Sequence, residues 1–170
     1  FAMLAVYQGV QDFNWELADQ TFTKAMDMNP ASTRVRILRA LYLLEPLARL
    51  QEAEQEIRMV LERDPLSPEA QTYFGQCLML QRRFPEALEQ LWLARQLSPD
   101  YWLSAFVLGG TLAMTGQVEQ VVALAPPVLE AVGPNPILLG AMGAMFAISG
   151  RTGKAQAILR QLQDLASIRY

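Results

Sequence analysis

The sequence predicts an all-α fold, a solenoid of antiparallel helix pairs, and three observations point to it. Pro30, Pro65, Pro99 and Pro134 stand 35, 34 and 35 residues apart. Gly75, Gly109 and Gly143 keep a spacing of 34. Between these marks, apolar side chains recur at the i, i+3, i+4, i+7 positions of an amphipathic helix. A period of this size belongs to chains of stacked units that each touch only their neighbours. Such a chain offers an extended surface before it offers a closed pocket.

The units follow in order. The first is partial and covers residues 1–30: Ala18, Phe22 and Ala25 mark the face of its second helix, and Pro30 ends it. The second spans about 34–65, with Ile37, Ala40 and Leu44 on one helix and Ala53, Ile57 and Val60 on the next. The third, about 68–99, opens on Pro68, where a missing N–H is harmless, and Pro99 stops it. Phe74, Gly75 and Leu78 share one face; after the polar break Gln81-Arg82-Arg83, Ala87, Leu91 and Ala94 share the matching one. The fourth, about 102–133, repeats this with Leu108, Gly109, Leu112 and Gly116, and with Val121, Ala125 and Val128 in hydrophobic character only. The fifth, about 136–168, carries Met142, Gly143, Phe146, Gly150, Ala155, Leu159 and Leu162. Pro126 and Pro127 fall where a second helix should continue, which predicts a break near Ala125 and a short helix over Val128–Val132. Asp100, just before Tyr101-Trp102, is placed to cap a helix.

Composition bounds the rest. Of 170 residues 52% are hydrophobic and 18% charged, enough for a core and unlike a disordered chain. The net charge of −3 comes without any Lys/Arg cluster, so no direct nucleic-acid surface is expected. Histidine is absent, which removes the commonest general base and metal ligand. A single cysteine, Cys77, allows neither an internal disulfide nor a multi-thiolate site; it reads as an inert buried thiol in a reducing compartment. No apolar run reaches the roughly 18 residues that span a bilayer, so no membrane segment is expected. The chain opens on Phe1, as expected of a piece of a longer protein. No phosphate loop, nucleophile elbow or zinc-ligand spacing occurs, so no enzyme, cofactor or metal is expected.

The 34-residue unit resembles the tetratricopeptide repeat. That family has a small residue at the eighth position, here Gly75, alanine at the twentieth and twenty-seventh, here Ala87 and Ala94, and proline at the thirty-second, here Pro99. Gln71 stands where a large residue is usual, Leu41 replaces the close-packing glycine of the second unit, and Pro46 replaces its turn glycine. The resemblance covers the whole chain as one array, 1–170, and implies a right-handed superhelix. It also implies a concave face lined by the first helix of each unit, which binds a partner protein or peptide.

Carried over position by position, the partner-binding groove comprises Leu38, Arg39, Tyr42, Thr72, Tyr73, Gln76, Met79, Leu103, Phe106, Val107, Gly110 and Met114. Its aromatic and methionine side chains suit an amphipathic helix or apolar peptide. Arrays that grip acidic chaperone tails use Lys and Asn at these positions; only Arg39 could pair with a carboxylate here, so such a clamp is not expected. Between Tyr101 and Gly150 only Glu119 and Glu130 are charged, and this apolar half is expected either to extend the groove or to be covered by further C-terminal repeats or a second copy of the chain. Arg34, Arg36 and Arg39, with Glu52, Glu54 and Glu56, read as a solvated face with weak surface pairs. Trp15, Trp92 and Trp102 read as covers of inter-helix seams.

Shorter likenesses lie at Phe13-Asn14-Trp15-Glu16, Asp64-Pro65-Leu66-Ser67-Pro68, Arg82-Arg83-Phe84 and Ala166-Ser167-Ile168-Arg169-Tyr170. They resemble the tetratricopeptide regions of multidomain bacterial regulators: winged-helix transcription regulators, Ser/Thr kinases and nucleotide cyclases. That resemblance implies a non-catalytic interaction or sensing module in the cytoplasm, with structural homo-oligomerisation through the apolar C-terminal half as the alternative.

Overall fold

In a computed structural model of the chain, residues 1–124 and 135–169 are described, with side chains to residue 167. The break expected near Ala125 and the helix expected over Val128–Val132 lie outside the described residues. Every regular element described is helical. They are α1 (Ala2–Val10), α2 (Trp15–Met28), α3 (Thr33–Arg39, running on as a π turn over Ala40–Leu44), α4 (Leu50–Leu61), α5 (Pro68–Leu80) and α6 (Phe84–Leu97). There follow α7 (Trp102–Met114), α8 (described over 118–124), α9 (Pro136–Ile148) and α10 (Thr152–Arg169).

The chain divides into two compact units, Phe1–Arg83 and Phe84–Tyr170. In the first, α1 packs on α2, α2 on α3, α3 on α4 and α4 on α5. In the second, α6 packs on α7, α7 on α9 and α9 on α10. Small residues sit where helices meet: Ala18, Ala40, Ala53, Ala87 and Ala94 are fully buried. Phe22, Leu43, Leu44, Ile57 and Leu78 fill the first core, and Leu91, Leu108, Leu112 and Leu138 the second. Two of the eighth-position glycines mark close approaches. A Cβ on Gly143 would stand 3.2 Å from Ile158, and one on Gly109 would meet the Met145 sulfur at 2.6 Å.

Three of the first helices begin alike. The side chains of Ser32, Ser67 and Asn135 accept from backbone N–H groups of the first turn and so satisfy orphan donors. Helix α7 does not follow: Tyr101, not Asp100, is its N-cap, and no side chain caps it. Asp100 lies one residue too early for its carboxylate to serve the first turn. Gln71, lacking the expected bulk, is nonetheless buried, and its Nε2 donates to the Pro65 carbonyl at 2.9 Å.

The turns inside the pairs share one device. Ala48, Arg82, Gly116 and Gly150 all adopt positive φ, at 56°, 61°, 74° and 72°. Beyond each, an N–H reaches back five residues: Arg49 to Leu44, Arg83 to Leu78, Gln117 to Leu112 and Arg151 to Phe146, at 2.8–2.9 Å. This is the Schellman pattern, which consumes carbonyls left open at a helix end. A left-handed L-residue is strained by about 1–2 kcal/mol, and glycine's unfolded freedom offsets about 0.5–1 kcal/mol of that. Ala48→Gly is therefore expected to raise stability by about 0.5–1 kcal/mol. Gly116→Ala, whose new methyl meets nothing within 4 Å, is expected to lower it by a similar amount. Paired thermal melts check the signs, and a melt in which both go the same way contradicts the account.

The same ruler exposes an insertion. From the N-cap Ser67 to the left-handed Arg82 is 15 residues, as from Tyr101 to Gly116 and from Asn135 to Gly150; from Ser32 to Ala48 is 16. The π turn absorbs the extra residue: the Glu45 N–H donates to the Ala40 carbonyl, five residues back, at 2.9 Å. In an unbroken α-helix one added residue would rotate the preceding stretch by about 100°. The wider π turn instead keeps both ends of α3 in register with their neighbours. Upstream of it, α3 matches α5 at an offset of 35, and downstream at 34.

Candidate functional site

The first helices of the first unit form the candidate site. A depression of about 170 Å³ is lined by Thr33, Arg34, Ile37, Leu38, Leu41 and Tyr42 of α3 and by Glu69 and Tyr73 of α5. Leu38 and Ile37 are nearly closed from solvent, whereas Tyr42 is 40% exposed. Arg34 and Glu69 are both exposed at the edge. The offset of 35 explains this set: Arg34 answers to Glu69, and Leu38 to Tyr73.

Of the twelve groove positions expected from the sequence, Leu38, Tyr42 and Tyr73 come together here. Three are not exposed as expected. Leu38 is buried at 9% exposure and Val107 at 3%, and Thr72 is fully closed. Thr72 can be buried because its Oγ1 donates to the Pro68 carbonyl at 2.7 Å and satisfies its hydroxyl within the helix. Gln76 is half-buried, and its Nε2 donates to Glu45 Oε2 at 2.7 Å. Met79 is half-buried on α5. Arg34, Ile37, Leu41 and Glu69 line the depression without belonging to that set.

Arg39 points elsewhere. Its Nη1 donates to Glu56 Oε1 at 2.7 Å and its Nη2 to Asp19 Oδ1 at 3.2 Å. Arg36 reaches the other Glu56 oxygen at 2.5 Å, and Arg49 reaches Asp19 Oδ2 at 3.0 Å. Glu54, likewise buried, accepts from Arg58, Gln81 and Arg83. Of the six residues of the expected solvated face, Arg34 and Glu52 are exposed, whereas Arg36, Arg39, Glu54 and Glu56 lie largely buried in two networks that tie α2, α3 and α4, and α4 and the α5 terminus. For Arg39 the π turn is the reason: it gives Leu38 the place that a uniform 34-residue spacing assigns to Arg39. Burial pushes the Asp19 carboxyl up, but the hydrogen bonds from Arg49 and Arg39 outweigh it and hold the group below its ordinary range. Glu54 is held low in the same way, burial being outweighed by Gln81, Arg58 and Arg83.

Glu45 behaves oppositely. Burial pushes its carboxyl up, against the hydrogen bonds it accepts from Gln76 and Cys77. The Cys77 thiol donates to Glu45 Oε1 at 3.2 Å and is itself pushed far up by burial and by the Glu45 charge. It is fully buried and held as a thiol, so it is no nucleophile.

In the second unit Leu103, Phe106 and Gly110 are half-buried and Met114 is exposed. Phe106 lines an apolar cavity of about 20 Å³ with Gly109, Leu138, Met145 and Phe146. That holds about one water-sized sphere and has no polar partner for it. No charged residue occurs on α7 or α9, and Ile137 and Ile148 are 72% and 69% exposed. Trp15 covers a seam, its ring 3.0 Å from the position of a Cβ on Gly9. Trp92 and Trp102, expected in the same role, are more than a third exposed. Among the described residues there is no group of three His, Cys, Asp or Glu side chains placed to hold a metal, and no helix long and apolar enough to cross a membrane.

No protein-family model and no curated protein sequence matches the chain. Solved structures do. A thermophilic tetratricopeptide-repeat protein of Thermus thermophilus is 18% identical, with a TM-score of 0.80 over 96% of this chain and 91% of that one. PilW, a type IV pilus biogenesis factor, is 19% identical, with a TM-score of 0.80 over 98% of this chain and 76% of its own. YrrB, described as a tetratricopeptide-repeat protein with an unusual peptide-binding site, is 17% identical, with a TM-score of 0.61 over 94% of this chain and 81% of its own. At these identities the likeness is one of architecture, and this chain has the helix-pair fold of tetratricopeptide-repeat proteins.

Proposed function

We propose that the chain is a non-catalytic protein–protein interaction module that holds a partner peptide or helix against its first helices. The observation that carries this reading is the depression between α3 and α5, with an apolar floor, two tyrosines and charged edges. Small-molecule pockets run to about 300–1,000 Å³; 170 Å³ suits a single inserted side chain of a longer ligand. The peptide-binding site reported for YrrB is in keeping with it. We further read the module as the sensing part of a cytoplasmic bacterial regulator. The short likenesses around Trp15, Pro65, Arg83 and Arg169 motivate that context, and the single reduced thiol suits it.

A photoreactive phenylalanine analogue placed at Tyr42 tests the binding face in cells. A discrete adduct is expected there, lost when Tyr73→Ala is added, and none is expected from Gln55 on the exposed side of α4. Equal labelling from both positions, or none from position 42, removes this face as the binding surface.

A further inference from the structure

We propose that the α3–α5 depression selects a segment in which an acidic residue adjoins one aliphatic or aromatic anchor. The proposal rests on the partner-binding reading above and names the chemistry that the site prefers. Three arginines lie on α3, and two are committed: Arg36 to Glu56, and Arg39 to Glu56 and Asp19. Arg34 has no acceptor among the described residues and stands exposed on one edge of the depression. Glu69, also exposed and in no ion pair among the described residues, stands on the α5 side. The floor between them is Ile37, Leu38 and Leu41.

This arrangement follows from the inserted residue. Had α3 kept the 34-residue spacing, Arg39 would sit at the groove position now taken by Leu38, and Val35 at the edge position now taken by Arg34. The π turn therefore removes a cation from the floor and places one on the edge. An apolar floor admits an anchor without burying an unpaired charge. An edge cation then discriminates among segments by attraction on one side of the anchor, while Glu69 repels acid on the other. The favoured segment carries its acid over α3 and a neutral or basic residue over α5.

Random dodecapeptides displayed on phage and selected against the whole chain test this, with Tyr42→Ala and Arg34→Glu run in parallel. Peptides whose capture depends on Tyr42 are expected to carry Asp or Glu beside Leu, Ile, Phe or Trp. Synthesised and titrated by fluorescence anisotropy, they should bind Arg34→Glu roughly fivefold to tenfold more weakly. Selection on Arg34→Glu should bring Lys or Arg into the acidic place. Tyr42-dependent peptides without acid, or with affinity indifferent to Arg34→Glu, overturn the proposal and leave the binding face standing. If no Tyr42-dependent peptide emerges, the binding face itself is wrong, and the proposal falls with it. Both side chains are exposed, and circular dichroism of each variant checks that it folds.

Discussion

Replacing Glu56 by alanine is expected to destabilise the first unit by about 3–5 kcal/mol. Glu56 is only 7% exposed, and each of its oxygens takes a guanidinium, Arg36 at 2.5 Å and Arg39 at 2.7 Å. Removing the carboxylate leaves two cations largely out of water, of which only Arg39 retains a carboxylate, that of Asp19 at 3.2 Å. The loss is greater than the value of the intact pairs, because an uncompensated buried charge is what is created. A combined replacement, Glu56→Leu with Arg36→Met and Arg39→Leu, removes all three charges and should recover most of the loss. Urea titration of the three proteins distinguishes the cases. A single-variant cost under about 1 kcal/mol would return these groups to the class of solvated surface pairs.

Phe22→Ala is the second large effect. Phe22 is fully buried on α2, between α1 and α3 in the packing order. Truncating a buried phenylalanine costs about 3–5 kcal/mol through lost transfer energy and the cavity left behind. A fall of at least about 10 °C in the transition of the first unit is expected. In stacked-repeat chains each unit touches only its neighbours, so the damage should stay local. Hydrogen exchange should accelerate in Phe1–Arg83 and change little in the described residues beyond Phe84. Uniform acceleration through α9 and α10 would show instead that the whole chain opens as one block.

Much of the architecture was legible because it depends on local chemistry. Pro68 and Pro136 open helices where an N–H is dispensable, and Ser67 and Asn135 before them accept from the first turn. Gly109 and Gly143 fall where a side chain would strike a neighbouring helix, so a fixed spacing reveals them. The surface of α3 and α5 was less legible, for two reasons. A uniform ruler cannot register a π turn, although the step of 35 from Pro30 to Pro65 recorded the extra residue. A 34-residue ruler therefore puts Arg39 in the groove, where the structure has Leu38. The partners of Arg39 lie 20 residues upstream and 17 downstream on other helices, a relation that helical periodicity does not encode. Thr72 misled for a different reason: its hydroxyl is satisfied by its own helix, so a residue that looks polar is free to be buried.

Left-handed Phe13 stands 35 residues before Ala48, and Arg82, Gly116 and Gly150 follow Ala48 at steps of 34, so the additional residue in α3 lengthens one interval only. The extra residue is taken up within one helix, and the later turns keep the shorter step. A chain assembled from copied cassettes can in this way lengthen one copy without disturbing the others. The face of one helix can then change its register while the later turns hold theirs.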